Sequence, residues 1–297
     1  MKITPLAAES MGSRSMAVFV ETLDCKILMD PGVSISPNRY GLAPHPFEKW
    51  CFQKQRERIQ LFARLADILV ITHYHSSHFM PDFKELYRDK VLLLKNPNQK
   101  IDIRQRNLAF TFLKRMRGIP KEIYYVDDKT LSFGNTQIVF SLPVFHGFSE
   151  NRGFLIQATV HENDQTFLFS SDIQGSCRKE QLEYILSQNP LFLYLDGPVI
   201  QKSPVAEETL KKSLANIIKI IEKTTVTTII IDHHMLRELH WKHRMEPVLA
   251  VANRHHVQIQ TAAEFRGEED QLLEARRKEL YASDPPQNLE NGQTGQS

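Results

Sequence analysis

The chain has 297 residues, 41% of them hydrophobic and 24% charged, with a net charge of +2 and three cysteines. Length and balance suffice for a buried core and argue against a dedicated nucleic-acid coat protein. No apolar run approaches the ~18 residues of a membrane span, Met1-Lys2-Ile3-Thr4-Pro5 lacks the pattern of a secretory signal, and Cys25, Cys51 and Cys177 are too few and too widely spaced for a disulfide framework or a Cys-x-x-Cys zinc finger. A reducing cytoplasm is the expected compartment.

The first thirty residues read as strands, among them Met16–Val20 and Cys25–Asp30, the latter closed by the turn signal Pro31-Gly32. Helical spacing of Ile59, Phe62 and Leu65 predicts a helix over Phe47–Leu65. Ile68–Ile71 is a continuous apolar run too short for a helix, the mark of a strand buried on both faces. Further along, Val91–Leu94 predicts a strand and Ile103–Arg117 a basic amphipathic helix closed by Gly118 and Pro120. Strands follow over Ile123–Val126, Thr136–Ser141, Phe154–Val160 and Thr166–Ser170, the last two a hairpin turned by Asn163-Asp164. The remainder alternates: helix Lys179–Ser187, strand Leu191–Leu195, helix Ala206–Lys223, strand Thr225–Ile231, helix Glu238–Asn253 and strand Val257–Gln260. This order predicts a layered α/β sandwich spanning residues 1–282. The Pro-, Gln-, Asn- and Gly-rich segment 283–297 reads as a disordered tail.

Charge is uneven. Between Lys84 and Lys121 eleven Lys/Arg face three acidic residues, so this stretch is +8 and the rest of the chain −6. It is either a solvated surface or a rim that attracts an anionic substrate.

Thr72-His73-Tyr74-His75-Ser76-Ser77-His78 directly follows the buried strand Ile68–Ile71. Residues two apart in extended chain share a side, about 6–7 Å apart, so His73 and His75 can converge on one ion, with His78 approaching from another angle. His146, Asp172 and the pair His233/His234 each follow another apolar run. Imidazoles plus one carboxylate at strand ends form a donor set for one or two divalent cations. His240 and His243 on a helix read as surface or core histidines without a partner ligand, and His255-His256 near a helix end have a plain dipole explanation. Cys177 reads as a buried inert thiol, and Arg152, in the loop beside His146, is a candidate substrate contact.

On these residues the chain resembles the metallo-β-lactamase fold superfamily. The pattern runs Asp-Pro-Gly, then Thr-His-x-His-x-Asp-His, then a distant His, Asp and His. Here it is met by Asp30-Pro31-Gly32, His73/His75/His78, His146, Asp172 and His233 or His234. The text around it (KITPLAAESMGSRSMAVFVET, ILMDPGVSISPNRYGLAPHP, ADILVITHYH, IIIDHHMLRE) is similar, from Met1 to about Arg254, to a largely archaeal branch without an assigned activity. The resemblance implies an αββα sandwich, two mixed β-sheets packed face to face with helices outside. It also implies a site in which His73, His75 and His146 hold a first metal, Asp172 bridges, and His78 with a terminal histidine holds a second. His234 is taken as that ligand, with His233 or Asp232 as its support or as proton donor. Asp30 is expected to orient a histidine ligand. Ser77 stands where the pattern has Asp, which weakens the second site.

The implied chemistry is hydrolysis of an ester-type bond, a phosphoester somewhat favoured, by a metal-activated water. Asp172, His233 and His234 are the expected catalytic residues and zinc the expected metal, with iron or manganese as substitutes. Two alternatives remain: a metal-binding but non-catalytic binding protein, supported by Ser77, and a nuclease, supported by the basic stretch. A small-molecule or phosphoester substrate is the expected partner, ahead of nucleic acid, with no membrane. The sequence leaves the oligomeric state open.

Overall fold

The apolar runs free of polar punctuation become the central strands. The computed structural model describes residues 1–200 and 203–283; the expected tail, from residue 284 on, lies outside the described residues. One sheet has six strands in chain order: β1 (Lys2–Pro5), β2 (Val18–Glu21), β3 (Lys26–Met29), β4 (Ile68–Ile71), β5 (Val91–Leu94) and β6 (Glu122–Tyr125). The first two pairings are antiparallel and the rest parallel. Next come β7 (Thr130–Phe133), β8 (Thr136–Phe140) and the two-residue ribbon β9 (Val144–Phe145) with β10 (Phe154–Leu155). They are followed by β11 (Ala158–Glu162), β12 (Gln165–Phe169), β13 (Phe192–Asp196), β14 (Thr228–Asp232) and β15 (Gln258–Gln260). The second sheet runs β15-β14-β13-β12-β11-β8-β7, parallel from β15 to β12 and antiparallel beyond.

Three apolar layers hold the sandwich together. Val18, Val20, Ile27, Met29 and Val70 of the first sheet meet Ile138, Phe140, Val160, Phe167 and Phe169 of the second. Behind the first sheet, Leu28, Leu69, Ile71 and Leu92 pack on α1 (Pro46–Leu65) and α2 (Ile103–Arg115) through Ile59, Ala63, Ala109 and Phe112. Behind the second, Leu193, Leu195, Ile229 and Ile231 pack on α3 (Lys179–Gln188) and α4 (Pro204–Lys223), together with α5 (Trp241–Arg244) and α6 (Glu246–Arg254). Alternate side chains of β4 and β14 thus face different layers, which is why both read as unbroken apolar runs. The result is the expected αββα arrangement of two mixed sheets. Two short helices, α7 (Ala262–Phe265) and α8 (Arg277–Ser283), complete it. Among the described residues no helix is long and apolar enough to cross a membrane.

Several details depart from the sequence reading. The helix expected over Glu238–Asn253 is two helices, divided at Met245 just before Glu246-Pro247; proline lacks an N–H and breaks a helix interior, but is tolerated in a first turn, where Pro247 sits. Phe154–Val160 is divided between the small ribbon and the large sheet. The Thr225–Ile231 strand begins only at Thr228. The strand β7 went unread although Gly134-Asn135, between it and β8, is a hairpin turn signal.

Candidate metal centre

Most polar residues of the centre follow the C-terminal end of a strand, and the backbone there is bent to fit. Asp30, one residue past β3, adopts φ 44, Ser171 past β12 φ 56 and His233 past β14 φ 65. Left-handed geometry costs a non-glycine residue about 1–3 kcal/mol and persists only where surroundings over-determine it. Gly32 leaves room for the His78 turn: a Cβ there would lie 2.1 Å from the Phe79 nitrogen and 2.4 Å from the His78 carbonyl carbon. Between His73 and His75, Tyr74 points the opposite way into the core, its hydroxyl donating to the Lys95 carbonyl (2.6 Å) and its N–H to Gln105 Oε1 (3.0 Å).

Five imidazoles surround the Asp172 carboxylate. His146 Nε2 is 2.7 Å, His78 Nε2 3.4 Å and His73 Nε2 3.6 Å from Oδ2, while His233 Nε2 is 3.1 Å and His234 Nδ1 3.4 Å from Oδ1. His75 closes the group, its ring centroid 4.7 Å from that of His73 and 4.8 Å from that of His146. Donor atoms of His73, His75, His146 and Asp172 all lie within 4.8 Å of one another, as do those of His78, Asp172 and His233, and those of Asp172, Asp196 and His234.

An outer ring of carboxylates and hydroxyls orients these rings. Asp30 Oδ2 is 2.7 Å from His78 Nδ1 and accepts from the Thr72 hydroxyl (2.6 Å), while Oδ1 accepts the Thr72 N–H (2.8 Å). His73 Nδ1 faces the hydroxyls of Thr72 (3.2 Å) and Ser171 (3.3 Å). Glu9 Oε2 is 2.8 Å from His233 Nδ1, and its other oxygen accepts from Arg237 Nε. His234 Nδ1 lies 3.0 and 3.1 Å from the two oxygens of Asp196, and its Nε2 is 3.3 Å from Gln174 Nε2. Asp232 accepts the N–H groups of Ser10, His233 and Ala262 and so is committed to the backbone; burial pushes its pKa up to about 6.

Burial pushes His73 down to about 3 and His75 to about 2, so both rings are neutral donors. Burial also opposes a charge on His78 and His233, yet Asp172 and Asp30 raise the first to about 9, and Asp172 and Glu9 the second to about 10. Burial likewise works against the Asp172 carboxylate, but the surrounding histidines, His233 foremost, hold its pKa well below the usual range.

The donor set fits a metal. His73 Nε2, His78 Nε2, His146 Nδ1 and Asp172 Oδ1 are buried without a hydrogen-bond partner, and such groups are costly unless something binds them. Imidazole and carboxylate together suit zinc, iron and manganese.

No family model matches the chain. A UPF0282 protein of Metallosphaera sedula is 42% identical over 290 residues, 96% of this chain and 94% of that protein. One of Korarchaeum cryptofilum is 39% identical, covering 95% and 94%, and one of Methanocaldococcus jannaschii 37%, covering 94% and 96%. This chain belongs to the UPF0282 family. Its structure is similar to an isothiocyanate hydrolase from Delia radicum gut bacteria (TM-score 0.55, 16% identity, covering 87% of this chain and 95% of that one). It is equally similar to the metallo-β-lactamase fold protein YhfI of Bacillus subtilis (0.55, 12%, with the same coverage). This chain therefore has the metallo-β-lactamase fold, as the sequence resemblance implied.

In this UPF0282 chain every expected site residue lies in or against one cluster. Cys177 is buried outside it, and Arg152 sits over the Phe148 ring, 5.6 Å from its centroid. His240, His243, His255 and His256 are exposed. The participants that escaped the sequence reading include Glu9, Asp196 and Gln174. Asp196 ends the apolar run of β13 as Asp172 follows that of β12, so the same strand-end rule finds it. Glu9, in a short turn near the N-terminus, carries no such signal.

Proposed function

We propose that this protein is a metal-dependent hydrolase of ester-type bonds, with phosphoesters favoured. The observation that carries the reading is the Asp172 carboxylate ringed by five imidazoles, with buried donor atoms left unpaired. In this reading His73, His75, His146 and Asp172 hold one divalent ion, zinc foremost and iron or manganese next, and His78, His233 and Asp172 hold a second. Such an ion supplies Lewis acidity and lowers the pKa of a bound water to about 7. The sequence reading took His234 as the terminal ligand; exchanging the two histidines suits their contacts better. His233 Nε2 is 3.1 Å from Asp172 Oδ1, whereas His234 Nδ1, 3.4 Å from the same oxygen, lies closer to Asp196 (3.0 Å) and its Nε2 adjoins Gln174. His234, held by Asp196, is then the group placed for proton transfer at the reacting centre, a role worth ~10²–10⁴-fold; burial holds its pKa well below the usual histidine range, so it enters as the uncharged ring. Asp30 keeps the proton of His78 on Nδ1 and leaves Nε2 to face Asp172.

Several charges of the basic stretch are already taken: Arg88 by Glu85, Lys95 by Asp127 and Arg115 by Asp82. This favours a small anionic substrate over nucleic acid. Three free, buried cysteines accord with the cytoplasm. Protein purified without added metal and assayed by elemental analysis is expected to carry bound metal. Loaded with Zn, Mn or Fe, it is expected to hydrolyse members of an ester, thioester, lactone and phosphodiester panel, and a chelator abolishes this. Metal-replete protein inert across that panel refutes the hydrolase and leaves the non-catalytic binding protein, for which Ser77 speaks.

A further inference from the structure

The two proposed ion positions differ in their donors. The first has four contributors, the second only His78, Asp172 and His233, two imidazoles and a shared carboxylate. Ser77, one residue before His78, brings no charge. The layer behind the donors differs in the opposite sense. Both histidines of the poorer group have a buried carboxylate at their far nitrogen: Asp30 at His78 Nδ1 (2.7 Å) and Glu9 at His233 Nδ1 (2.8 Å). In the richer group, His73 Nδ1 faces only hydroxyls and His146 Nδ1 has no hydrogen-bond partner.

Glu9 is not there by local necessity. It lies 224 residues from His233, in the turn Glu9–Met11, and is 4% exposed. Arg237 Nε holds its second oxygen, so the carboxylate cannot swing away. Arg237 Nη2 also lies 3.3 Å from His233 Nε2, a contact that a cation at that nitrogen displaces. Buried ion pairs of this kind contribute little net stability over apolar packing, so stability does not explain Glu9. A carboxylate behind a ligating imidazole fixes its tautomer and raises its basicity.

We propose that Glu9 is the positioning residue of the second ion: it turns His233 Nε2 toward Asp172 and supplies, one layer out, the negative charge that position 77 lacks. This rests on the reading that His78, Asp172 and His233 hold that ion. Cobalt(II) titration followed by visible absorption, with elemental analysis of the zinc form, tests it in the full chain. The unmodified chain is expected to take up two equivalents. Glu9→Gln keeps the shape and loses the charge; it is expected to bind the first equivalent unchanged and the second about 10–100-fold more weakly, with the second spectral step lost. Glu9→Asp keeps the charge and is expected to retain more affinity than Glu9→Gln, and adding Ser77→Asp to Glu9→Gln is expected to restore the second step. A Glu9→Gln protein that binds both equivalents normally overturns the proposal. So does one that loses both together with its thermal stability, or an unmodified chain that takes up only one. An unmodified chain that takes up no metal sinks the hydrolase reading as well, whereas a two-metal chain inert on every ester sinks that reading alone.

Discussion

At the residue scale the proposed function divides its roles among Asp172 and the two adjacent histidines 233 and 234. Asp172→Asn removes the one charge common to both proposed ions, and elemental analysis is expected to find near-zero metal. His233→Ala is expected to lose one equivalent, whereas His234→Ala keeps both and lowers kcat by ~10²–10⁴-fold; the reverse result returns the ligand role to His234. Cys177 gives a check on the packing nearby. Burial pushes its thiol up to about 11, so at pH 8 only roughly one molecule in a thousand carries the reactive thiolate. Alkylation by iodoacetamide, followed by mass spectrometry, is expected to be slow at pH 8 and to quicken as pH rises toward 11.

At the scale of elements, the turn after β3 and the turn after β4 are built against each other. Gly32 lies on the backbone of the His78 turn, so Gly32→Ala forces one of the two to move. A cost of about 3 kcal/mol in denaturant unfolding is expected, together with weaker metal binding, since overpacking of this size costs ~1–3 kcal/mol. The motif Asp-Pro-Gly was legible in the sequence; the reason for its glycine was not, because the clashing atoms belong to residues 78 and 79. The Glu238–Asn253 misreading has a local cause: its hydrophobic spacing spans both helices, and Pro247 decides the break. The unread β7 is half-exposed and short, so its pattern barely rises above that of a loop.

Across the whole molecule, the C-terminal segment clamps the wall beside the centre. Arg277 is fully buried; it donates to both oxygens of Glu48 (2.7 and 2.6 Å) and to the carbonyls of Ser36 and Leu42. Arg14 and Glu274 join the same region through two bonds of 2.6 Å. Arg277→Met strands a buried carboxylate and is expected to cost ~3–5 kcal/mol by urea unfolding. The sequence resemblance ended near Arg254, and α7 and α8 beyond it were not anticipated. Their role depends on pairs separated by 229 residues, a distance over which local pattern carries no information.

The sequence by itself determined the layers and most of the ligand candidates. Apolar runs bounded by turn residues specify strands, and His73, His75, His78, His146 and Asp172 each mark where such a run stops. Both signals are short-range, since burial on two faces and the end of a strand are written in neighbouring residues. Only the tertiary structure decided that His233 reaches Asp172 through Nε2 and His234 through Nδ1, and what stands behind each imidazole. Those choices turn on Glu9, Asp30 and Asp196 arriving from remote strands and turns, and a ring's orientation is set by the partner at its far nitrogen rather than by the residues beside it in the chain.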